Sequence, residues 1–301
     1  MIGPWGSGMQ RAGLFAFLLA VNSMQAHPAI GIVADAGGVI YYSDNQQVWR
    51  VAPGGQRTLA VARVHAHELW LDAAGNLYGE HLWYEGERTN RWGHRVWKRL
   101  PNGEVTDVIP ARAGFREDYR DFSFVRSPHG WMYWLVRQGR STQLQRNLAG
   151  GRNETLEDLG DIRPGWLGVT PSGGVLFAVR GVIWRRPPSG KAQPIHEGSL
   201  GTVMGIWADR EGNVYAALPE RRAVARIGRR GAVSVADRSP SPWRPSGGVV
   251  GPDGRLWVLE FNPANEQRAR PAGRDAAAGG APRPPLGPRP HGLRDWRSSP
   301  P

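Results

Sequence analysis

The chain contains no cysteine among its 301 residues. Disulfide bonds, thiolate metal sites and a cysteine nucleophile are therefore excluded, although this absence does not decide the cellular compartment. Four common catalytic motifs are also absent: Gly-x-Ser-x-Gly, the phosphate-binding loop, the dinucleotide-binding fingerprint and His-Glu-x-x-His. The hydrolase, nucleotide-binding and zincin classes that use these motifs consequently lose their support.

The N-terminal region has an apolar segment that is too short to span a bilayer. Residues 12–21 form this ten-residue segment, which follows Arg11 and lies where the hydrophobic region of a signal peptide belongs. We predict that residues 1–26 are a signal peptide, that the protein is exported to the periplasm or medium, and that the mature chain begins near His27 without a transmembrane segment. The alternative is a buried apolar N-terminal segment.

The chain is basic, with 38 Lys and Arg against 26 Asp and Glu and a formal charge of +12. Such a balance permits attraction to anionic surfaces or nucleic acid. The arginines are nevertheless scattered over the whole sequence, and no recognisable nucleic-acid-binding module is present. We therefore expect no nucleic-acid partner.

A short pattern occurs six times along the chain. In each copy a glycine is followed three residues later by an aromatic residue, as in Gly38/Tyr41, Gly75/Tyr78, Gly130/Tyr133, Gly174/Phe177, Gly212/Tyr215 and Gly254/Trp257. The runs around these turns are short, rich in Val, Ile, Tyr and Trp, and bounded by Pro, Gly, Asp and Asn, which is typical of antiparallel strands. Units of roughly 40 residues with four strands each predict a six-bladed β-propeller, and we expect a monomer.

Two segments carry a resemblance to a known group of propellers. They are the turn from Asp209 to Tyr215 and the strand segment from Gly254 to Phe261. Both resemble NHL-repeat propellers, with further similarity to the SMP-30/gluconolactonase and streptogramin lyase groups, over about residues 30–270. The resemblance implies the propeller fold, but not one activity, because propellers of this type include lyases, lactonases and proteins that only bind.

The composition changes after Phe261, where Pro, Arg, Ala and Gly dominate. Few β-branched residues remain there, so no complete outer strand of a sixth blade is predicted. We therefore predict a propeller over residues 27–270 with an incomplete last blade, followed by a disordered tail over residues 271–301.

Superposition of the six repeats identifies candidate functional residues. The position six residues after each glycine holds Asp44, His81, Val136, Arg180, Leu218 and Glu260. The position seven residues before each glycine holds Gly31, Glu68, Ser123, Leu167, Gly205 and Gly247. Charged residues thus come from the consecutive blades 6, 1 and 2 and should face one mouth of the channel.

Carboxylates and imidazoles that converge on a wet channel suit a divalent cation. We predict Asp44, His81 and Glu260 as ligands of Ca²⁺, Mg²⁺ or Mn²⁺, with Zn²⁺ as an alternative if the histidines dominate. Glu68 or His67 is the predicted general acid or base, and Arg180 is predicted to hold a carboxylate of the substrate. This arrangement predicts a metal-assisted lyase or lactonase-like hydrolase acting on a small-molecule or carbohydrate ligand at the channel mouth.

The long insertion in blade 2 supports a second hypothesis. Its segment from Trp83 to Trp92 is rich in aromatic residues, which favour contact with macromolecules when they are exposed. The chain is then a non-catalytic propeller that recognises a protein or a glycan through this loop.

Overall fold

The computed structural model describes residues 28–84, 92–113, 125–127, 130–147, 151 and 153–273. Within these segments there are 23 strands, one 3-10 turn at Pro219–Arg221 and no α-helix. The strands form six antiparallel sheets, each consecutive in the chain. The predicted all-β, six-bladed propeller is therefore confirmed. No helix in the described segments is long and apolar enough to cross a membrane.

The first three blades are each four-stranded. Their strands are β1 (Ile32–Ala34), β2 (Ile40–Ser43), β3 (Val48–Val51) and β4 (Arg57–Val61) in blade 1; β5 (Leu69–Leu71), β6 (Leu77–Tyr84), β7 (Trp92–Arg99) and β8 (Val105–Ala113) in blade 2; and β9 (Val125–Arg126), β10 (Met132–Gln138), β11 (Ser141–Asn147) and β12 (Asn153–Asp158) in blade 3.

Blades 4 and 5 are also four-stranded, whereas blade 6 has three strands. Their strands are β13 (Leu167–Val169), β14 (Val175–Val179), β15 (Val182–Arg186) and β16 (Gln193–Pro194) in blade 4; β17 (Ile206–Ala208), β18 (Val214–Leu218), β19 (Ala223–Ile227) and β20 (Val233–Arg238) in blade 5; and β21 (Arg244–Val250), β22 (Leu256–Phe261) and β23 (Gln267–Pro271) in blade 6. The predicted incomplete last blade is confirmed within the described residues.

Equivalent turns join the first and second strands of all six blades. In each turn a glycine N–H donates to the carbonyl three residues earlier, and the glycines are Gly38, Gly75, Gly130, Gly173, Gly212 and Gly254. The prediction of Gly174 in blade 4 was wrong by one residue. Gly173 has the positive φ of 82° that the turn requires, and Gly174 follows it. In a Gly-Gly pair either residue can adopt that conformation, so the sequence alone does not distinguish them.

Aromatic residues after these turns pack between neighbouring blades. Tyr41 of blade 1 lies in a buried cluster with Leu69 and Leu77 of blade 2. The hydroxyl of Tyr133 in blade 3 donates to the carbonyl of Gly173 in blade 4 at 3.2 Å. Because no blade buries both faces alone, this packing supplies most of the core.

Inner strands touch around the central axis. The Gly31 N–H of blade 1 donates to the His67 carbonyl of blade 2 at 2.7 Å. A Cβ atom on Gly247 of blade 6 would lie 2.5 Å from the Ile30 carbonyl, just before blade 1. Blade 6 therefore lies against blade 1, and the ring is closed at its inner strands.

Three of the predicted regions lie wholly or partly outside the described residues. They are the signal peptide over residues 1–26, residues 85–91 of the loop predicted from Trp83 to Trp92, and residues 274–301 of the tail predicted over residues 271–301. These assignments stay predictions. The ends of the predicted loop belong to the paired strands β6 and β7, and Pro271 ends β23.

Candidate functional site

The inner strands enclose a central channel with a volume of about 150 Å³. Its wall carries a glycine at the equivalent position of three blades, namely Gly31, Gly205 and Gly247. Blade 2 has Glu68 at this position. In blade 4 the turn at Gly173 makes Trp166 the residue equivalent by position, although Leu167, Gly168 and Val169 are the blade 4 residues that line the channel. Glu68 thus brings a carboxyl, and Arg126 of blade 3 a guanidinium, to a wall that is otherwise formed largely by backbone and apolar groups.

A second carboxyl, that of Glu80, lies beside Glu68. Glu80 is on β6 and is only 1% exposed. The two carboxyls interact through a hydrogen bond and through their charges. Glu80 Oε1 also accepts from the His67 N–H at 3.1 Å, and the Glu68 N–H donates to the same carboxyl. Glu80 Oε2 has no well-aligned hydrogen bond to a described residue, so the contact between the two carboxyls is loosely aligned.

Burial shifts the pKa of both carboxyls upward. Desolvation raises the pKa of Glu80 to about 7, although hydrogen bonds from Glu68 and from the backbone of His67 and Glu68 lower it. Desolvation also raises the pKa of Glu68 well above its usual range, and the charge of Glu80 raises it further. The two backbone N–H groups favour the charge on Glu80. Near neutral pH the pair therefore retains one proton, which the two carboxyls share.

Three histidines lie next to this carboxyl pair. The Nε2 atoms of His65 and His67 are 2.7 Å apart, and the His65 N–H donates to His81 Nδ1 at 2.9 Å. Burial lowers the pKa of His65, and a hydrogen bond to the Asn45 backbone, which raises the pKa, offsets only part of this shift. Burial also lowers the pKa of His81, and the charge of Arg95 lowers it further. The lowered pKa values favour the neutral imidazole in both His65 and His81.

The three predicted metal ligands have other partners in the structure. Asp44 accepts from Trp49 Nε1 at 2.7 Å and from two backbone N–H groups of its own turn. His81 accepts from His65 and stacks on Trp83, with ring centroids 5.5 Å apart. Within the described residues, no group of three or more His, Asp or Glu side chains is arranged to hold a metal ion. Coordination by Asp44, His81 and Glu260 stays a prediction that these contacts do not favour.

Glu260 belongs to a buried ion network between blades 5 and 6. Its carboxylate lies 3.0 Å from Arg268 Nε and 2.9 Å from Arg270. Arg270 also contacts Asp237 at 2.6 Å. Burial lowers the pKa of Arg270, but hydrogen bonds to Asp237 and Glu260 raise it, with a net upward shift. Two guanidinium groups already neutralise Glu260, so this carboxylate does not fit the role of a cation ligand.

Arg180 lies in the two-residue turn between β14 and β15. It has a positive φ of 50°, its side chain is exposed, and its carbonyl accepts from Ser199 Oγ at 2.8 Å. With Gly173 as the turn glycine, the residue six positions later is Val179. The positional reason for choosing Arg180 therefore does not hold, and its role as a substrate anchor stays a prediction.

Glu80 was not selected from the sequence, although the repeats contain a signal for it. The position five residues after each corrected turn glycine holds Ser43, Glu80, Leu135, Ala178, Ala217 and Leu259. Blade 2 alone has a charged residue there. The sequence signal for His65 is weaker, because two histidines spaced two residues apart are also compatible with a purely structural role.

Comparisons with known proteins support the fold. No family model and no curated protein matches the chain. Among solved structures, a gluconolactonase from Xanthomonas campestris is 14% identical, with a TM-score of 0.56 over 81% of this chain and 87% of that chain. A luciferin-regenerating enzyme is 13% identical, with a TM-score of 0.56 over 81% and 91%. A calcium-binding regucalcin from Agrobacterium tumefaciens is 18% identical, with a TM-score of 0.51 over 77% and 83%. The chain is thus similar to gluconolactonase and regucalcin-like propellers in fold.

Proposed function

We propose that this protein is an exported, lactonase-like hydrolase or lyase that acts on a small molecule at the mouth of its central channel. The carboxyl pair of Glu68 and Glu80 is the observation that carries the proposal. A carboxyl group that still holds a proton near neutral pH can act as a general acid, and its ionised form can act as a base. Carboxyl pairs with raised pKa values are concentrated at catalytic sites.

The two carboxyls have different roles in this proposal. Glu68 lines the channel and can reach a bound ligand, so it is the proposed catalytic residue. Glu80 is buried behind it and is held by the backbone N–H groups of His67 and Glu68. Glu80 therefore acts as a positioning residue that sets the charge state of Glu68. His67 was predicted as a catalytic residue, and its backbone N–H contributes to this arrangement.

Lactone opening can be written with these groups. Glu68, ionised while Glu80 holds the shared proton, removes a proton from a water molecule that attacks the lactone carbonyl. The new carbon–oxygen bond forms, the ring carbon–oxygen bond breaks, and Glu68 returns the proton to the departing ring oxygen. In a lyase reaction, the same carboxylate removes a proton from carbon next to a carbonyl, and the leaving group departs with its electron pair.

A divalent cation remains a prediction within this proposal. Ca²⁺, Mg²⁺ or Mn²⁺ would polarise the carbonyl that is attacked, with Zn²⁺ as the alternative. Because Glu260 is neutralised by Arg268 and Arg270, no step of the reaction is assigned to an ion held by Asp44, His81 and Glu260. Activity before and after chelation with EDTA, followed by addition of each cation, tests the requirement.

The experiment is an acid-release assay with a panel of lactones that includes gluconolactone. We expect the Glu68→Gln substitution to lower kcat/KM at least about 100-fold, since general acid–base catalysis contributes factors of this size. Glu104→Gln is the matched control, because Glu104 is an exposed carboxyl on a surface turn of blade 2. Equal activity of the wild type and Glu68→Gln would contradict the proposed role. If no lactone is turned over, the alternative of a propeller that binds a protein or glycan through the blade 2 loop takes its place.

Export is tested separately. We expect protein isolated from the periplasm or medium to begin near His27, as read by N-terminal sequencing. A cytoplasmic product that retains residues 12–21 would contradict the assignment of residues 1–26 as a signal peptide.

A further inference from the structure

The histidines His65 and His67 form a pair that the proposed reaction does not use. They are two residues apart in the segment that leads into β5, and both rings lie on one side of it. Their ring centroids are 4.7 Å apart with an interplanar angle of 50°, and the two Nε2 atoms face each other at 2.7 Å. Both side chains are partly exposed, so ions from solvent can reach them.

We propose that His65 and His67 chelate a borderline transition-metal ion such as Zn²⁺ or Co²⁺ through their Nε2 atoms, in the segment that leads into β5. This site differs from the predicted set of Asp44, His81 and Glu260 in residues, ligand chemistry and preferred metal. Imidazole nitrogen suits Zn²⁺, Co²⁺, Ni²⁺ and Cu²⁺, whereas Ca²⁺ and Mg²⁺ require oxygen ligands.

The hydrogen bonds of His65 prepare it to act as a ligand. Its Nε2 faces His67, so Nδ1 is the nitrogen left to donate to the Asn45 carbonyl. The Asn45 N–H is already used by Ser43 Oγ at 3.1 Å, which leaves the carbonyl as the backbone partner. This arrangement favours the tautomer of His65 in which Nδ1 carries the hydrogen and the Nε2 lone pair faces His67. A backbone carbonyl that holds the second ring nitrogen is the usual support of a metal-binding histidine.

Without a metal, the contact between the two rings requires a proton. One Nε2 must carry hydrogen, and with His65 as acceptor this hydrogen belongs to His67. Metal binding requires the other tautomer of His67, in which the hydrogen lies on Nδ1 and Nε2 coordinates the ion. Two Zn–N bonds of about 2.0 to 2.1 Å with a near-tetrahedral angle place the nitrogen atoms somewhat more than 3 Å apart. The two Nε2 atoms, now 2.7 Å apart, therefore need to separate by roughly 0.6 to 0.7 Å.

Two protein ligands leave positions on the ion for water or for a bound ligand. The described residues contain no third His, Asp or Glu side chain arranged with this pair. The ion is therefore expected to bind weakly and to exchange. Because protonated imidazole cannot coordinate, binding should weaken as the pH falls below the histidine range.

The test is Zn²⁺ titration of tag-free protein by calorimetry, together with the visible absorption of bound Co²⁺. We expect one equivalent of metal in the wild type and at least about tenfold weaker binding in both His65→Ala and His67→Ala. Glu104→Gln is the matched control, because Glu104 is an exposed carboxyl on the turn between β7 and β8. It should leave Zn²⁺ binding unchanged, and excess Ca²⁺ should not compete.

A measurement on the wild type covers the case in which the alanine variants do not fold. Diethyl pyrocarbonate modifies accessible histidines, and mass spectrometry locates the modified residues. Zn²⁺ should protect His65 and His67 from this modification. Unchanged modification of both residues, absence of saturable binding, or equal affinity in the histidine variants would overturn the proposal. The carboxyl pair and its proposed reaction are unaffected by that outcome, since metal binding is measured without turnover.

Discussion

Individual residues in blade 2 depart from the otherwise apolar repeat, and Glu80 departs most. The equivalent residues of the other blades are uncharged: four are apolar, and Ser43 donates its hydroxyl to the Ala66 carbonyl at 2.6 Å. A buried carboxylate loses its hydration, and a second carboxyl nearby adds repulsion. The protein tolerates the pair because one proton remains on it near neutral pH. That proton links the stability of the fold to the pH.

The Glu80→Gln substitution should change how the stability of the protein depends on pH. The folded pKa of Glu80 is raised to about 7 from its usual value, so the folded state retains a proton that the unfolded chain loses above about pH 4.5. This contribution to stability is complete below that pH and is lost as the pH rises toward 7. The wild type loses this stability between pH 5 and pH 8, whereas Glu80→Gln does not. We therefore expect the free energy of unfolding of Glu80→Gln, relative to that of the wild type, to rise by on the order of 2 to 4 kcal/mol over this range. Urea unfolding at both pH values measures it.

The control for this prediction is again Glu104→Gln. Glu104 is exposed, so its replacement should not change the pH dependence of the free energy of unfolding. If Glu80→Gln follows the wild type at every pH, the two carboxyls do not share a proton as described.

Glu260 illustrates a charge whose partners decide its role. Arg268 and Arg270 both contact its carboxylate, which has no exposed surface. Removal of one member of a buried ion pair leaves the other charge without compensation, and this costs more than the pair itself contributes.

We therefore predict that Glu260→Gln lowers the free energy of unfolding by about 3 kcal/mol. Asp253→Asn is the matched control, because Asp253 is exposed and lies 4.0 Å from Arg255. It should change stability by less than about 1 kcal/mol. Both variants are measured by thermal unfolding with and without Ca²⁺. Stabilisation by Ca²⁺ that disappears in Glu260→Gln would instead support the predicted cation site.

At the scale of secondary-structure elements, the inner strands depend on close approach between blades. The Gly205 N–H on the segment entering β17 donates to the Ser246 carbonyl on β21 at 2.8 Å. A Cβ atom at Gly205 would lie 2.6 Å from that oxygen and 2.8 Å from the Gly247 Cα. Both neighbours are backbone atoms, so an added methyl group must push the two strands apart.

We expect Gly205→Ala to lower the free energy of unfolding by about 2 kcal/mol or more, as at other overpacked interior sites. Gly228→Ala is the comparison, because its Cβ would meet nothing closer than the Ala232 carbonyl at 3.7 Å. That change should be neutral or slightly stabilising, since alanine restricts the unfolded chain. Equal melting temperatures for the two variants would show that the inner strands have room to separate.

For the whole molecule, the sixth blade is the place where the ring differs from full symmetry. β23 has no fourth strand beside it in the described part of the chain. A pocket of about 260 Å³ lies between this blade and blade 1 and is lined by Tyr42, Arg57, Trp257 and Arg268, among others. The blade is stabilised by the ion network with blade 5 and by the Gly273 N–H, which donates to Asp237.

From these contacts we predict that a chain ending after Gly273 keeps its melting temperature within about 2 °C, a change of less than roughly 1 kcal/mol. A chain ending after Phe261 lacks β23 and leaves Glu260 and Asp237 without their arginine partners, so it should not fold cooperatively. Circular dichroism melting compares both with the full chain. A large loss of stability in the longer variant would mean that residues 274–301 pack on the propeller.

The amino-acid sequence determined the repeat, the strand-rich units, the number of blades, the incomplete last blade and the unusual Glu68. These features depend on short-range patterns of turn residues and alternating side chains, which are repeated six times and so reinforce one another. Tertiary structure decided which glycine of blade 4 turns the chain, and thereby removed Arg180 from the position that was assigned to it. It also paired Glu68 with Glu80, His65 with His67, and Glu260 with Arg268 and Arg270. Such contacts depend on strand register and on the packing of blades, because side chains of the same type can meet a partner, a ligand or water according to where the folded backbone places them.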